Sequence, residues 1–333
     1  LYKSNNKDYT AIKTLGLCLL LQNKFYGSID MYERVENQKK DDFDVINNLG
    51  HLYLKIEDFQ KSEDAALRAA TINPSSHLPY VTLLDLNLRK RDFEAAYNFA
   101  STLLKKIDFK TLLNNPNITY LVFDAYVASQ KKDDANKLLN YFYNRIFNPE
   151  VFYYHSSYEP ETINKEIEKK ANELLETASF DNPITKSKTL GPIHFGLAKL
   201  YEKKGNMELS DDHYYKANNF ITDLIRYHPM TNQKMIKNIK KIFSNYEAQQ
   251  FNFIEHNNQN LIFIIGMPRS GTTLVESIIG SSNLAISGGE LRSMYELFKK
   301  YYDDEDTDFI ETTDPGLVYL DRIKYIRKKQ KYF

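Results

Sequence analysis

The sequence has little cysteine, no excess of charge of either sign and no long apolar run. Its single cysteine, Cys18, cannot build a disulfide framework, and such sparse use is typical of proteins in a reducing compartment. The 44 basic side chains balance the 44 acidic ones, so no whole-chain field favours a nucleic acid or an anionic membrane surface. The composition therefore excludes a disulfide-stapled domain and predicts no nucleic-acid partner.

The longest apolar runs lie at 15–21 and 261–267. Both are far shorter than the roughly 20 residues that a membrane span requires, so we predict no span. The chain begins with Leu1 and shows no basic-then-apolar leader, and we expect a cytoplasmic protein whose N-terminus is missing. The seven histidines form no HExxH motif and have no cysteine partners, which predicts that the protein holds no metal.

A period of 34 residues organises the N-terminal part of the chain. The interval separates two leucine-glycine pairs and three phenylalanines: Leu15-Gly16 and Leu49-Gly50, and Phe25, Phe59 and Phe93. Asp58 recurs as Asp92 at the same interval. A period of this length is typical of helical repeats that stack into a solenoid.

The clearest copy of the repeat is "NNLGHLYLKIEDFQKSEDAALRAATINP". Leu49 and Tyr53 lie one helical turn apart and share a predicted buried stripe. Gly50 and Ala66 are small, which lets two antiparallel helices cross closely, and Pro74 follows the second helix, where a missing amide donor does no harm. This pattern resembles the tetratricopeptide repeat.

A second copy is "HFGLAKLYEKKGNMELSDDHYYKAN", and residues 118–145 form a weaker one. The predicted fold class is therefore mainly α, with a tetratricopeptide-repeat superhelical solenoid of about five helix pairs over residues 1–220. We predict irregular insertions near 110–117 and 146–190. The repeated interval of 34 residues favours a solenoid over an ordinary helical bundle. Residues 221–257 are predicted to form a helical connector that ends in a polar turn cluster.

The remaining segment, 258–333, opens on a strand–loop–helix pattern. Leu261–Ile265 is a continuous apolar run, which predicts a buried parallel strand. Gly266 and Gly271 enclose a loop of four residues, and an apolar helical periodicity begins at Thr272. In such a loop, main-chain amides and the positive end of the helix converge on an anion.

The loop keeps the glycine spacing of GxxxxGK[ST] but lacks its lysine, because Thr272 stands at that position. The positive charge lies inside the loop instead, at Arg269. An ATPase without that lysine loses a contact to the β- and γ-phosphates. A donor with only one phosphate next to the transferred group has less need of that lysine. A degenerate P-loop kinase or NTPase is the alternative.

The motif "PRSGTTL" resembles the 5′-phosphosulfate-binding loop of sulfotransferases that use 3′-phosphoadenosine 5′-phosphosulfate (PAPS). The likeness includes bacterial proteins that join tetratricopeptide repeats to a sulfotransferase domain, and tyrosylprotein sulfotransferases. It implies that residues 258–333 are the N-terminal part of an α/β P-loop-type sulfotransferase domain with PAPS as co-substrate. The donor-binding residues that it implies are Arg269, Ser270, Gly271, Thr272 and Thr273.

A second motif, "SGGELRSM", extends the resemblance. In tyrosylprotein sulfotransferases, a glutamate at the offset of Glu290 from the loop arginine is the general base, and an arginine two residues later helps to hold the acceptor. The resemblance therefore implies that Glu290 and Arg269 are catalytic and that Arg292 binds substrate. The chain departs from those enzymes at Gly289, where they carry another glutamate, and this puts the identity of the acceptor in doubt.

The chemistry of sulfuryl transfer needs these residue types. Charge builds on the leaving phosphate, and Arg269 with the loop amides can stabilise it without a metal. The acceptor is a hydroxyl of a protein (for example of a tyrosine), a sugar or a small molecule, and Glu290 can take its proton. The repeats are predicted to bind a peptide or protein partner in their groove. A non-catalytic repeat scaffold is the alternative from another class of function.

The family's later segments, which supply an arginine and a serine for the 3′-phosphate of the donor, do not occur in this sequence. A parallel sheet also needs more than one strand. We therefore expect residues 261–333 to form a helix-covered remnant, and the chain as given not to turn over substrate although a longer parent protein does.

Overall fold

The structure is a computed structural model. It describes residues 8–224, 261–267, 269–282, 285–291, 294–295 and 315–323, together with isolated positions between 230 and 240. Most of the predicted connector lies outside the described residues. The described part of the chain is mainly helical and contains no strand.

The helices up to residue 224 follow one another with short turns. Their bounds are α1 Tyr9–Leu21, α2 Phe25–Gln38, α3 Phe43–Lys55, α4 Phe59–Ile72, α5 Leu78–Arg89, α6 Phe93–Lys106, α7 Phe109–Asn114, α8 Pro116–Ala128, α9 Lys132–Tyr143, α10 Pro149–Tyr158, a 3₁₀ turn Pro160–Thr162, α11 Lys165–Thr177, α12 Pro183–Lys203 and α13 Met207–Leu224. Two further described helices are α14, Thr272–Gly280, and α15, Pro315–Arg322.

Five helix pairs share one kind of turn. In each, a residue with left-handed φ, between 56° and 76°, precedes an amide that donates across the turn to a carbonyl five residues earlier, at 2.8 to 2.9 Å. The left-handed residues are Asn23, Glu57, Arg91, Gln130 and Gly205. This is the bonding pattern of a Schellman-type helix end, which satisfies carbonyls that the helix leaves open. The first three turns keep the 34-residue period of the sequence.

A buried serine joins the two helices in three of these pairs. Its hydroxyl donates to the carbonyl of a small residue on the preceding helix: Ser28 to Gly16 at 2.8 Å, Ser62 to Gly50 at 2.8 Å and Ser210 to Ala198 at 2.9 Å. A larger side chain at the accepting residue would separate the two backbones. The close crossing predicted from Gly50 is therefore present.

The irregular insertions predicted near 110–117 and 146–190 are largely helical. The first contains the short helix α7, and the second contains α10 and α11. Two asparagines start these last helices, because the side chain of Asn148 accepts from the amide of Val151 at 3.0 Å and that of Asn164 accepts from Ile167 at 2.9 Å. The capping signals outweigh the lack of a repeat pattern.

The chain divides into two compact units, residues 66–227 and residues 1–65 together with 228–333. The predicted domain boundaries at 220 and 257 stay a prediction. In residues 1–65, the apolar stripes of α2 and α3 are completely buried at Val35, Val45, Ile46 and Leu52. The unit of residues 66–227 has two apolar clusters, one around Ala100, Leu103 and Val122 and one around Phe152, Ile193 and Leu197.

Two histidines meet inside the last helix pair. The Nδ1 atoms of His194 and His213 lie 2.8 Å apart, and the rings stack on Phe220 and Tyr201 respectively. Burial lowers the pKa of His194 to about 4 and also lowers the pKa of His213. Both rings are therefore neutral near pH 7, with one Nδ1–H donating to the other Nδ1.

Gly196→Ala should destabilise the unit of residues 66–227 by about 1–3 kcal/mol, because the site has no room for a methyl group. A Cβ atom at Gly196 of α12 would lie 2.6 Å from Cε1 and 2.7 Å from Cδ1 of Phe152, which is completely buried in α10. Urea denaturation followed by circular dichroism measures the change in the free energy of unfolding.

Gly191→Ala on the same helix is the matched control. Its nearest contact would be Cβ of Phe220 at 3.6 Å, which is ordinary van der Waals distance. Because alanine favours the helix over glycine by about 1 kcal/mol, this variant should be neutral or more stable. Equal destabilisation by both variants would contradict the close packing of α10 on α12.

Candidate functional site

The loop between Gly266 and Gly271 folds back tightly on itself. The amide of Ser270 donates to the carbonyl of Met267 at 3.1 Å, which closes a turn. Arg269 and Gly271 both have left-handed backbone, with φ of 68° and 90°. A Cβ atom at Gly266 would lie 2.5 Å from Oγ of Ser270 and 2.8 Å from Cγ2 of Thr272. Gly266 is therefore required by the close approach of the loop, and Gly271 by its own φ.

The loop leads directly into the start of α14. Gly271 is the N-cap residue, and no side chain caps the helix among the described residues. The helical ladder begins where the amide of Val275 donates to the carbonyl of Gly271 at 3.1 Å. The amides of Thr272 and Thr273 precede that bond and point out of the helix start, where the positive end of the helix dipole lies.

The side chains that accompany these amides are accessible. Arg269, Ser270 and Thr273 are exposed, and Thr272 is half-buried. A guanidinium, three hydroxyls and the first amides of a helix therefore follow one another along the backbone of residues 269–273. Such an arrangement is suited to an anion with several oxygens, since each oxygen can accept from a different donor.

The buried strand predicted at Leu261–Ile265 is not present. Residues 261–267 have neither helix nor strand assigned, and Ile262 and Ile265 are 65% and 92% exposed. A strand needs a neighbour to complete its backbone hydrogen bonds, and none of the described residues pairs with this run. The periodicity correctly predicted the helix that follows, α14, but Leu274 and Ile278 on its apolar side are 66% and 62% exposed.

The expected covering by helices is only partial in the described residues. The ring of Phe263 lies 5.9 Å from that of Tyr319 on α15. Tyr319 and Ile323 are buried, and Leu291 and Met294 pack against them. This small cluster contacts one side chain of the apolar run, Phe263, which is still 56% exposed, and it leaves most of the run open.

Glu276, which the sequence analysis missed, holds the segment that carries Glu290. Its Oε1 accepts from the hydroxyl of Ser287 at 2.5 Å and from the amide of Gly289 at 2.7 Å. The sequence signal is a single carboxylate within the apolar helix "TTLVESIIG". Since Glu276 lies on α14, it ties the residue before Glu290 to the helix that starts at the loop.

Gly289 has a φ of 71°, in the left-handed region. A side chain at this φ costs about 1–2 kcal/mol, so the local backbone favours glycine over the glutamate of tyrosylprotein sulfotransferases. Glu290 itself is exposed. Within the described residues, neither a hydrogen bond nor an ion pair joins it to Arg269. Arg292 lies outside the described residues, and its role stays a prediction.

Two general properties of the described residues bear on the kind of site. No group of three or more histidine, cysteine, aspartate or glutamate side chains in this part of the chain is arranged to hold a metal ion. None of its helices combines the length and the apolar character needed to cross a membrane.

Residues 261–316 match a family model described as a sulfotransferase family, and residues 43–76 match that of the tetratricopeptide repeat. Over 119 residues, 36% of this chain, the sequence is 31% identical to an uncharacterized protein of Aquifex aeolicus (strain VF5), and the match spans 16% of the length of that protein. The resemblance drawn from the sequence is therefore confirmed in both parts. The chain combines a segment that matches the tetratricopeptide repeat with one that matches a sulfotransferase family, and the loop and Glu290 both lie in the second segment.

Proposed function

We propose that this protein transfers a sulfuryl group from PAPS to a hydroxyl acceptor, and that its repeats bind a protein partner. The observation that carries the proposal is the backbone of residues 266–273. Arg269, the loop hydroxyls and an uncapped helix start follow one another along this left-handed turn, and the segment matches a sulfotransferase family, which supports the proposal. These groups fit a single phosphate that carries sulfate.

In the proposed reaction the acceptor oxygen attacks sulfur as the bond from sulfur to the 5′-phosphate oxygen breaks. Negative charge grows on the phosphate that leaves. Arg269 and the amides of Thr272 and Thr273 stabilise that charge by direct hydrogen bonds, and the hydroxyls of Ser270 and both threonines donate to the same oxygens. Arg269 supplies the positive charge that a lysine supplies in ATP-binding loops.

Glu290 is proposed as the general base that removes the proton of the acceptor hydroxyl, and Arg292 as a group that holds the acceptor. Glu276 is a positioning residue for Glu290, because it fixes the amide of Gly289 next in the chain. The hydroxyl belongs to a protein, with tyrosine as one candidate, or to a sugar or a small molecule. PAPS enters this scheme as co-substrate, and no step assigned to these residues requires a metal.

A protein scaffold without catalysis is the second candidate function. One observation favours it: the five helix pairs are well packed, whereas residues 261–267 and the apolar side of α14 are exposed. In that case the repeats bind a partner and the loop holds no nucleotide.

The experiment that separates these functions measures nucleotide binding by calorimetry, using the protein expressed from its whole gene. The desulfonated product 3′-phosphoadenosine 5′-phosphate should bind equally well with and without magnesium, and more tightly than ATP. Tighter binding of ATP that depends on magnesium would replace the proposal with an NTPase. If neither nucleotide binds, the scaffold is the better description.

A further inference from the structure

Aromatic side chains form a continuous surface over α8, α10 and α12. The rings of Tyr120 and Tyr154 lie 5.0 Å apart, those of Tyr154 and Tyr153 5.9 Å, and those of Tyr153 and Phe195 6.0 Å. Tyr158 extends the surface one helical turn beyond Tyr154 on α10. We call these five residues the aromatic face. Tyr120 and Tyr158 are 37% and 36% exposed, and the other three are half-buried.

Two carboxylates lie within this surface. Asp124 accepts a hydrogen bond from the hydroxyl of Tyr158 at 3.0 Å. Glu150 lies one helical turn before Tyr154 on α10, and burial, followed by the charge of Glu150, raises the pKa of Tyr154. Both carboxylates are half-buried, and burial raises the pKa of each. Within the described part of the chain, neither forms an ion pair. A desolvated carboxylate without a cation is unfavourable, so both sites would gain from one.

The two helices that carry these carboxylates contain no lysine or arginine. The sequences are "PNITYLVFDAYVA" for α8 and "PEVFYYHSSY" for α10. Lys188 on α12 is near enough to oppose the rise in the pKa of Glu150, but it makes no ion pair with it. Next to Asp124 the aromatic face is therefore acidic, and next to Glu150 the charge of Lys188 offsets part of the negative charge.

Three tyrosine–carboxylate pairs elsewhere in the described part of the chain have a lysine nearby, whereas the pair in which Tyr214 donates to Glu202 at 2.9 Å has none. Tyr97 donates to Asp134 at 2.9 Å, Lys137 pairs with that carboxylate at 2.8 Å, and Lys131 lies 5.3 Å from the centre of the Tyr97 ring. Tyr158 and Asp124 form the same kind of pair without a lysine among the described residues.

Two further pairs of a tyrosine and a carboxylate also have a lysine nearby. Tyr53 donates to Glu33 at 2.6 Å, and Lys61 lies 5.2 Å from the centre of the Tyr53 ring. Lys204 pairs with Glu168 at 2.6 Å and lies 5.5 Å from the ring centre of Tyr201. In these three pairs an ammonium group lies near a tyrosine ring beside a carboxylate, an arrangement that cation–π attraction and charge pairing favour.

We propose that the aromatic face binds an extended peptide segment of a partner protein through its lysine or arginine side chains, which sit on the rings beside Asp124 and Glu150. The rings supply the apolar and cation–π contacts, and the two carboxylates supply the charge. An acidic peptide would be repelled by both carboxylates, and a neutral peptide would leave them desolvated and unpaired. This proposal rests on the part of the proposed function in which the repeats bind a protein partner, and it is independent of sulfuryl transfer.

The test measures fluorescence anisotropy of three labelled peptides with the full chain. The peptides alternate serine with arginine, with glutamine or with glutamate. The arginine peptide should bind about tenfold more tightly than the glutamine peptide, and the glutamate peptide should bind least. The double variant D124N/E150Q should weaken binding of the arginine peptide by about tenfold, since its amides keep the shape and lose the charge.

The control variant D133N/E176Q removes the same charge from exposed positions on α9 and α11, and it should change binding by less than about twofold. Tyr120→Leu keeps the charge and removes a ring, and it should also weaken the arginine peptide. If D124N/E150Q does not fold, as judged by circular dichroism, the single variants Tyr120→Leu and Glu150→Gln test the proposal instead. Each should then weaken binding of the arginine peptide. Equal binding of all three peptides, tighter binding of the glutamate peptide, or equal losses in the two double variants would overturn the proposal.

Discussion

Arg269→Ala should lower kcat/KM for sulfuryl transfer by about 10²- to 10³-fold, which corresponds to about 3–4 kcal/mol of lost transition-state stabilisation. The reason is the position of the guanidinium in the turn that precedes α14, where the structure places no other basic side chain among the described loop residues. The rate should be measured with PAPS and a panel of hydroxyl acceptors on the protein expressed from its whole gene.

Two further substitutions separate the charge from the backbone. Arg269 has a φ of 68°, so alanine keeps the strained conformation and Arg269→Gly relieves it. If the guanidinium is what matters, the alanine and glycine variants lose activity equally, and Arg269→Lys retains part of it because it keeps a positive charge. An unchanged rate in the glycine variant would contradict the role assigned to Arg269.

The repeat part was predictable because its signals are local and recur. Gly50 predicted the close crossing that the hydroxyl of Ser62 bridges at 2.8 Å, and Asp92, which recurs from Asp58, caps α6 by accepting from the amide of Ala95 at 3.1 Å. Side-chain type predicts the left-handed turn residue only at Asn23 and Gly205, since asparagine and glycine favour that conformation. Glu57 and Arg91 adopt a conformation that L-residues rarely favour, and the packing of the two helices imposes it.

The segment 258–333 was predictable only in its local pattern. The start of α14 at Thr272 follows from the glycine spacing and the apolar periodicity. The strand at Leu261–Ile265 could not be predicted correctly, because a strand depends on a partner that no local signal supplies. Glu276 was missed for a related reason: its bonds to Ser287 and Gly289 reach 11 and 13 residues along the chain, beyond any helical period.

Glu290→Gln should lower kcat for sulfuryl transfer by about 10²- to 10⁴-fold while binding of 3′-phosphoadenosine 5′-phosphate stays unchanged. Glutamine has the same shape as glutamate but cannot accept the acceptor's proton. The donor contacts assigned to the loop do not involve Glu290, so rate and nucleotide affinity should separate. Single-turnover kinetics measures the first and calorimetry the second.

Glu276→Gln is the matched control, because it changes the same functional group on the helix that braces this segment. Its side-chain oxygen can still accept from the amide of Gly289, whose hydrogen bond to Oε1 is 2.7 Å long, so the rate should fall far less than in Glu290→Gln. A general base acts through its own proton affinity, whereas a brace acts through position. Equal losses in the two variants, or an undiminished rate with Glu290→Gln, would therefore show that Glu290 supports the shape of the site rather than the proton transfer.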